Sequence, residues 1–244
     1  MQLLRLDSKK ILIMGATGTI GKATAIKISE LGAKVVISAK SEEKLNNVFS
    51  LLNKNASHRY LSFDLQNLSQ ISDFINKLVE FDGHKFDGLV YSVGTAPIIP
   101  LKNTTYDILN NVMVVNFFSF VELVRCFSHK KISNPNASIV ALSSYSSINP
   151  DIGRIAYAAS KGAMDSSIIA MAKELHKKNI RVNAIRPAVV DDGIRDFSPR
   201  VLDLVNMMKT DAIDPKNLAE HIAFLLSDAS SGVYGRCFDV RGYL

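Results

Sequence analysis

Cysteine and histidine are scarce in this chain of 244 residues, and their placement excludes several classes of protein. The two cysteines, Cys126 and Cys237, are too few for the disulfide framework of a small secreted domain. A reducing, cytoplasmic location is therefore expected. The five histidines are dispersed, and none pairs with a cysteine or a carboxylate at metal-ligand spacing. We expect no metal site.

Long apolar segments and dense patches of one charge are also missing. The first residues, MQLLRLDSKK, contain no long apolar region, so no secretory signal is expected. No segment approaches the roughly 20 apolar residues of a membrane span, and we expect no membrane partner. The formal charge of +6 comes from scattered lysines and arginines, which argues against nucleic acid as a partner. The 47% of hydrophobic residues, in contrast, is enough for a large core.

Short apolar runs typical of buried strands alternate with segments of helical periodicity. The strand-like runs are KILIMG, KVVISA, RYLSFDL, FDGLVYSVG, ASIVALSS, IRVNAIRP and YGRCFDV. Between them, apolar residues recur at i, i+3, i+4 and i+7, and one helical stretch is expected over about 106–127. The alternation predicts an α/β fold, a doubly wound Rossmann-type sheet of about seven mostly parallel strands with helices on both faces. Without a linker or repeat, residues 1–244 are expected to form a single domain.

A glycine-rich turn lies between the first strand-like run and the first helical segment. Gly15, Gly18 and Gly21 are spaced G-x-x-G-x-x-G in MGATGTIGKA. Glycines at such a turn let backbone N–H groups approach a pyrophosphate at a helix N-terminus. Ordinary strand-to-helix turns also use glycine, so the spacing alone is a weak signal. Asp64, in RYLSFDL, could hold an adenine amino group or could simply cap a turn.

A tyrosine and a lysine lie one helical turn apart in RIAYAASKGAM. Tyr157 and Lys161 share one helical face at i, i+4, although a chance pair of this kind is common. Ser144 ends a strand-like run thirteen residues before Tyr157, and Asn116 lies in the helical segment VVNFFSF. A phenol with a pKa of about 10 exchanges protons readily near neutrality only when a nearby cation lowers that pKa. The pair therefore suits a tyrosine that exchanges a proton, or a tyrosine that packs at a helix edge beside a solvated lysine.

With these motifs in this order, the sequence resembles the short-chain dehydrogenase/reductase family over essentially the whole chain. The resemblance implies an NAD(P)-dependent oxidoreductase whose catalytic residues are Asn116, Ser144, Tyr157 and Lys161. Tyr157 would be the general acid or base, and Lys161 would tune it and bind the nicotinamide ribose. Ser144 would bond the carbonyl oxygen, and Asn116 would hold a water that links Lys161 to solvent. The implied cofactor contacts are Gly15, Thr17, Gly18, Thr19, Ile20, Gly21, Lys40, Asp64, Leu65, Gly94, Tyr157, Lys161, Pro187 and Val190.

The residue after the second strand-like run favours NADP. An acidic residue there would bind both ribose hydroxyls and repel a 2′-phosphate. In this chain Lys40 follows Ala39, and no carboxylate precedes Glu42. NADP is the expected cofactor and NAD is possible, because a solvated surface lysine would give the same sequence.

Several loops depart from the family pattern. The glycine spacing is similar to that of the sugar-nucleotide-modifying branch, and Tyr91-Ser92-Val93-Gly94 keeps only the glycine of the usual Asn-Asn-Ala-Gly. Pro187-Ala188 replaces Pro-Gly, and the usual threonine beyond it is replaced near Asp191–Asp192. The irregular segment 188–213 is expected to form a lid over the substrate.

Three functions stay open at this point. The first is a carbonyl reductase or alcohol dehydrogenase acting on a small-molecule carbonyl or alcohol, with 3-oxoacyl thioester reductases among the plausible relatives. The second is a sugar-nucleotide-modifying enzyme, although little sequence follows the sixth strand-like run to form a substrate domain. The third is a non-catalytic dinucleotide-sensing protein. The resemblance also implies a homodimer or homotetramer.

Overall fold

A parallel sheet of seven strands forms the centre of the computed structural model, which describes residues 4–54, 56–191 and 212–242. The strands are β1 (Lys10–Met14), β2 (Lys34–Ser38), β3 (Arg59–Tyr60), β4 (Phe86–Tyr91), β5 (Ser133–Leu142), β6 (Arg181–Pro187) and β7 (Cys237–Val240). Their order is β3-β2-β1-β4-β5-β6-β7, and all neighbours pair in parallel. The chain changes direction across the sheet between β1 and β4, which makes a topological switch point. The predicted fold class is confirmed.

Helices cover both faces of this sheet. They are α1 (Thr19–Glu30), α2 (Glu42–Phe49), α3 (Ile71–Glu80), α4 (Tyr106–Met113), α5 (Ser119–Phe127), α6 (Ile155–Leu175) and α7 (Pro215–Leu226). Side chains of α1, α2 and α7 form one apolar cluster with the sheet, and those of α3, α5 and α6 form the other. In β1, Ile11 and Ile13 join the first cluster, whereas Leu12 and Met14 join the second. Burial on both faces explains why the strands are continuously apolar.

Two predicted elements differ from the observed ones. The run RYLSFDL pairs as a strand only at Arg59–Tyr60, although Phe63 still donates its N–H to the Ala39 carbonyl oxygen at 2.9 Å. The helix expected over 106–127 is divided by a π-helical segment, Val114–Phe118, which carries Asn116. The buried Tyr91 hydroxyl donates to the Val115 carbonyl oxygen at 2.6 Å. A side chain from the end of β4 therefore anchors the carbonyl of this wider turn.

The helical stretch Tyr106–Phe127 is long and apolar enough, by length and composition alone, to cross a membrane. This corrects the expectation that no segment approaches a span. However, Phe120, Leu123 and Phe127 are fully buried in the cluster on one face of the sheet, and so is the polar Asn116. Because core helices pass the same test, the stretch is weak evidence for a membrane.

Candidate active site

The glycine turn after β1 depends on close backbone packing at two of its three glycines. Gly15 has a φ of +79°, and a β-carbon there would lie 2.5 Å from the Ser92 carbonyl oxygen. A β-carbon at Gly21 would lie 2.2 Å from the Gly15 carbonyl oxygen. Gly18 has an ordinary φ of −78°, and its β-carbon would be 3.5 Å from the same oxygen. Packing therefore requires glycine at positions 15 and 21 and leaves room at position 18.

Helix α1 begins at this turn with its backbone donors open. Gly18 is the N-cap, and no described side chain caps it. The first N–H groups of an α-helix have no partner within the helix, which makes the predicted contacts Thr19, Ile20 and Gly21 available donors. Together with the positive end of the helix dipole, they form a site suited to an anionic group such as a pyrophosphate.

A cavity of about 320 Å³ lies beside the turn, at the switch point of the sheet. The predicted cofactor contacts that line it are Gly15, Thr17, Gly18, Lys40, Asp64, Leu65 and Gly94. A larger cavity of about 720 Å³ lies between α7 and β7, and no predicted site residue lines it. Ligand sites in doubly wound sheets lie beyond the carboxyl ends of the strands at the switch point, so position favours the smaller cavity.

Two of the predicted cofactor contacts bind each other. The Lys40 ammonium lies 2.8 Å from the Asp64 carboxylate, and the Gln66 N–H donates to the other Asp64 oxygen at 3.0 Å. The hydrogen bond from Lys40 lowers the pKa of Asp64. The sequence allowed Asp64 to hold an adenine amino group or to cap a turn. The bond from the Gln66 N–H shows that it caps a turn in this structure. The Lys40 side chain is 76% exposed, so this ion pair is weak and can open to a ligand.

Two of the four predicted catalytic residues, Asn116 and Lys161, lie beside Gly94, just after β4, and Tyr157 lies beside Lys161. A β-carbon at Gly94 would lie 3.5 Å from Lys161 Nζ and 3.6 Å from Asn116 Oδ1. Lys161 Nζ lies 5.9 Å from the centre of the Tyr157 ring. Ser144 lies near enough to Tyr157 to lower its pKa, and the Ser144 hydroxyl oxygen accepts from the Ser146 N–H at 3.1 Å. Helix α6 supplies Tyr157 and Lys161, the π-helical segment supplies Asn116, and the residues after β5 supply Ser144.

The side chain of Asn116 is fully buried, and nearly all of its hydrogen-bonding capacity is used. Its Nδ2 group donates to the Thr95 carbonyl oxygen and to Ser160 Oγ, both at 2.9 Å. Its Oδ1 accepts from the Thr95 N–H at 2.8 Å. Both amide hydrogens are used, so only the second lone pair of Oδ1 is left for the water that the resemblance implies. The direct effect of Asn116 is to fix Thr95 beside Gly94.

Burial dominates the protonation of Tyr157 and Lys161. It raises the pKa of Tyr157, and the hydrogen bond with Ser144 and the charge of Arg154 oppose the rise. It lowers the pKa of Lys161 to about 8, partly opposed by Asp165. Lys161 Nζ donates to the Leu142 carbonyl oxygen at 2.6 Å. The sequence suggested Lys161 as the cation that lowers the Tyr157 pKa, and the structure adds a second cation, Arg154, whose charge acts on Tyr157 in the same direction.

The lid predicted over 188–213 falls largely on residues 192–211, which lie outside the described residues. Its ends are described. Val190 and Ile213 form an isolated parallel bridge, and the Ile213 N–H donates to the Val189 carbonyl oxygen at 2.8 Å. Pro187 is the last residue of β6, so Pro187 and Val190 lie at the same sheet edge as the other candidates.

Sequence reasoning missed three residues that hold the site together. Thr95 and Ser160 bind Asn116, and Arg154 faces the Tyr157 ring. Ser160 directly precedes Lys161, and Arg154 precedes Tyr157 by three residues. Their closeness in sequence to the predicted catalytic pair could have indicated both residues. For Thr95 the signal was only its place after Gly94.

Known proteins resemble the chain over nearly its whole length. A family model described as enoyl-(acyl carrier protein) reductase matches residues 15–242. The chain is 31% identical to 3-oxoacyl-[acyl-carrier-protein] reductase from Thermotoga maritima, over 99% of each protein. It is also 31% identical to 7alpha-hydroxysteroid dehydrogenase from Escherichia coli K12, over 98% of this chain and 95% of that protein.

Solved structures show the same fold. NAD⁺-bound xylitol dehydrogenase superposes with a TM-score of 0.86 at 24% identity, over 97% of this chain and 98% of that one. A second structure is the NADPH-bound short chain oxidoreductase from Pseudomonas aeruginosa PAO1, which contains an atypical catalytic center. It superposes with a TM-score of 0.88 at 24% identity, over 97% of this chain and 96% of that one.

Alanine substitutions at Gly18 and Gly21 test whether the glycine turn has room for a β-carbon at one position and not at the other. We expect Gly18→Ala to lower the free energy of unfolding by less than about 1 kcal/mol, because its conformation and surroundings accept a β-carbon and only the preference for glycine over alanine at an N-cap is lost. We expect Gly21→Ala to cost more than about 2 kcal/mol, because its β-carbon would overlap the backbone of Gly15. Urea unfolding followed by circular dichroism measures both. Equal stability of the two variants would contradict this account of the turn.

Proposed function

The chain belongs to the short-chain dehydrogenase/reductase family of oxidoreductases, and from this premise we propose that it is an NADP-dependent carbonyl reductase or alcohol dehydrogenase with Tyr157 as general acid and base. The observation that carries the proposal is that Lys161 Nζ lies beside both Gly94 and the Tyr157 ring, with Asn116 next to the same glycine and Ser144 next to Tyr157. The substrate would be a small carbonyl or alcohol compound.

The residues present fit a nicotinamide dinucleotide. The uncapped N-terminus of α1 and the open side of Gly18 suit a pyrophosphate, and the cavity beside them continues to Gly94. Lys161 Nζ lies where Gly94 has no side chain, so its ammonium can reach a ribose bound there. The cofactor, when bound, supplies or accepts the hydride.

The chain's own residues would handle the proton and the developing charge. In the reducing direction, the Tyr157 hydroxyl gives its proton to the substrate oxygen as negative charge develops there. The Ser144 hydroxyl donates a second hydrogen bond to that oxygen. Lys161 stabilises the phenolate that Tyr157 leaves behind. In the oxidising direction the same phenolate accepts the proton.

The first test of this proposal removes a single oxygen atom. Tyr157→Phe keeps the ring in its packing and removes the proton donor, so we expect turnover to fall by at least about 10²–10⁴-fold with little change in cofactor affinity. Steady-state kinetics and cofactor titration measure the two quantities. Tyr234→Phe, which alters an exposed tyrosine, is the control and should keep full activity. Near wild-type turnover in Tyr157→Phe would overturn the assignment.

The preference for NADP rests on Lys40 at the rim of the cavity. The exposed Lys40 ammonium, whose ion-pair partner among the described residues is Asp64, can turn to a 2′-phosphate. We expect Ala39→Asp combined with Lys40→Ala to move the ratio of kcat/KM toward NAD, because a carboxylate there binds both ribose hydroxyls and repels the phosphate.

Initial rates with both cofactors measure this ratio, and Lys177→Ala controls for the loss of one positive charge. An unchanged ratio in the double variant, or a wild-type preference for NADH, would contradict the role given to Lys40.

A sugar-nucleotide-modifying enzyme remains the second candidate, supported by the spacing of Gly15, Gly18 and Gly21. A non-catalytic dinucleotide sensor is the third. A panel of ketones, 3-oxoacyl thioesters and nucleotide sugars, each assayed with NADPH, separates the candidates. Turnover of ketones or thioesters supports the first, turnover of nucleotide sugars supports the second, and cofactor binding without any turnover supports the third.

We also propose that the protein is a cytoplasmic homodimer or homotetramer. The outward faces of its long helices support this, because Tyr106 is 76% exposed, Ile169 is 50% exposed and Phe118 is 40% exposed. Light scattering of the purified chain should give two or four times 26.8 kDa. A mass equal to one chain would contradict the proposal.

A further inference from the structure

Arg154 lies between the candidate catalytic tyrosine and a loop of the cofactor cavity. It is the residue before the first turn of α6, three positions ahead of Tyr157. Its guanidinium carbon is 5.7 Å from the centre of the Tyr157 ring. One guanidinium nitrogen donates to the Ala96 carbonyl oxygen at 2.6 Å. The side chain therefore contacts both the ring and the loop after β4.

That loop is held from two sides. Asn116 binds both the N–H and the carbonyl oxygen of Thr95, and Arg154 binds the next carbonyl oxygen, that of Ala96. Gly94, which directly precedes them, faces Lys161 Nζ. Arg154 thus connects the helix that carries Tyr157 to the loop that begins at Gly94.

Among the described residues, the charged and titratable groups near Tyr157 are Lys161, Arg154 and, one turn further, Asp165. Ser144 approaches from the end of β5, and Lys161 and Arg154 approach from α6 and its N-terminus. Asp165 lies one turn beyond and acts on Lys161. Burial lowers the pKa of Lys161 to about 8, so its ammonium loses part of its charge in mildly alkaline solution. A guanidinium stays protonated throughout this range.

We propose that Arg154 is a positioning residue for Tyr157, which faces the ring with a fixed positive charge and ties its helix to the Gly94 loop. The role in turnover rests on the proposed function of the site. The contacts of Arg154 with the Tyr157 ring and with Ala96 do not rest on that function, because they can be measured in the protein without substrate. The arginine fork suits this double contact, and its planar face suits an aromatic ring.

The experiment compares Arg154→Met, Arg154→Lys and a control, Arg125→Met. Arg125 is an exposed arginine on α5 that binds Glu122. The first readout is the ultraviolet titration of Tyr157, obtained as the difference between each protein and the same protein carrying Tyr157→Phe. The second is the pH dependence of kcat for alcohol oxidation. Cofactor affinity and melting temperature complete the set.

Removing a cation disfavours the phenolate, so the Tyr157 titration in Arg154→Met should move to higher pH by about half a unit or more. Oxidation needs the phenolate, so its rate on the acidic side should fall about threefold. Arg154→Lys keeps the charge and should recover most of both effects. Arg125→Met should match the wild type, and cofactor affinity should stay within about twofold in all variants.

An unchanged titration in Arg154→Met, or an equal shift in Arg125→Met, would overturn the proposal. Should Arg154→Met fail to fold, Arg154→Gln carries the same comparison. If the wild-type protein oxidises no alcohol in the panel, the proposed function fails, and the ultraviolet titration still decides whether Arg154 acts on Tyr157.

Discussion

Parallel strand pairing is the constraint on which every candidate site residue depends. When all strands of a sheet run in one direction, their carboxyl ends share one edge, and the residues that follow them meet there. Gly15, Gly94 and Ser144 follow β1, β4 and β5 at this edge. The parallel pairing in turn requires apolar cover on both faces, and the two helix layers supply it. Gly15 and Gly94, far apart in the sequence, thus line one cavity.

Within this frame, hydrogen bonds across loops give the site its geometry. The segment after β4 has no regular structure of its own, and its backbone is held by side chains from α6 and from the π-helical segment. The π-helical segment is itself anchored by Tyr91, where the family pattern has asparagine. The atypical sequence after β4 is therefore compatible with an intact site, because a different buried side chain supports the neighbouring helix.

The sequence predicted the order of the elements and the gathering of the catalytic candidates because both follow from local patterns. Strand runs, helical periodicity and the Tyr157–Lys161 spacing are readable within a few residues. The contacts that tune the site are not local. Lys40 pairs with Asp64 from another loop, and Arg154 binds the carbonyl oxygen of Ala96, 58 positions earlier in the chain. The direction in which the Tyr157 pKa shifts also depends on burial, and burial cannot be predicted from the spacing between two residues.

The bridge between Val190 and Ile213 has a consequence for how such an enzyme can diversify. It joins the two ends of the intervening segment three residues after the end of β6, so these ends stay together whatever the length between them. Loop-closure entropy changes slowly with length, by about 0.6 kcal/mol for each doubling. A change in the number of residues between Val190 and Ile213 is therefore inexpensive for folding. The strands whose ends carry the candidate site can keep their pairing through such a change.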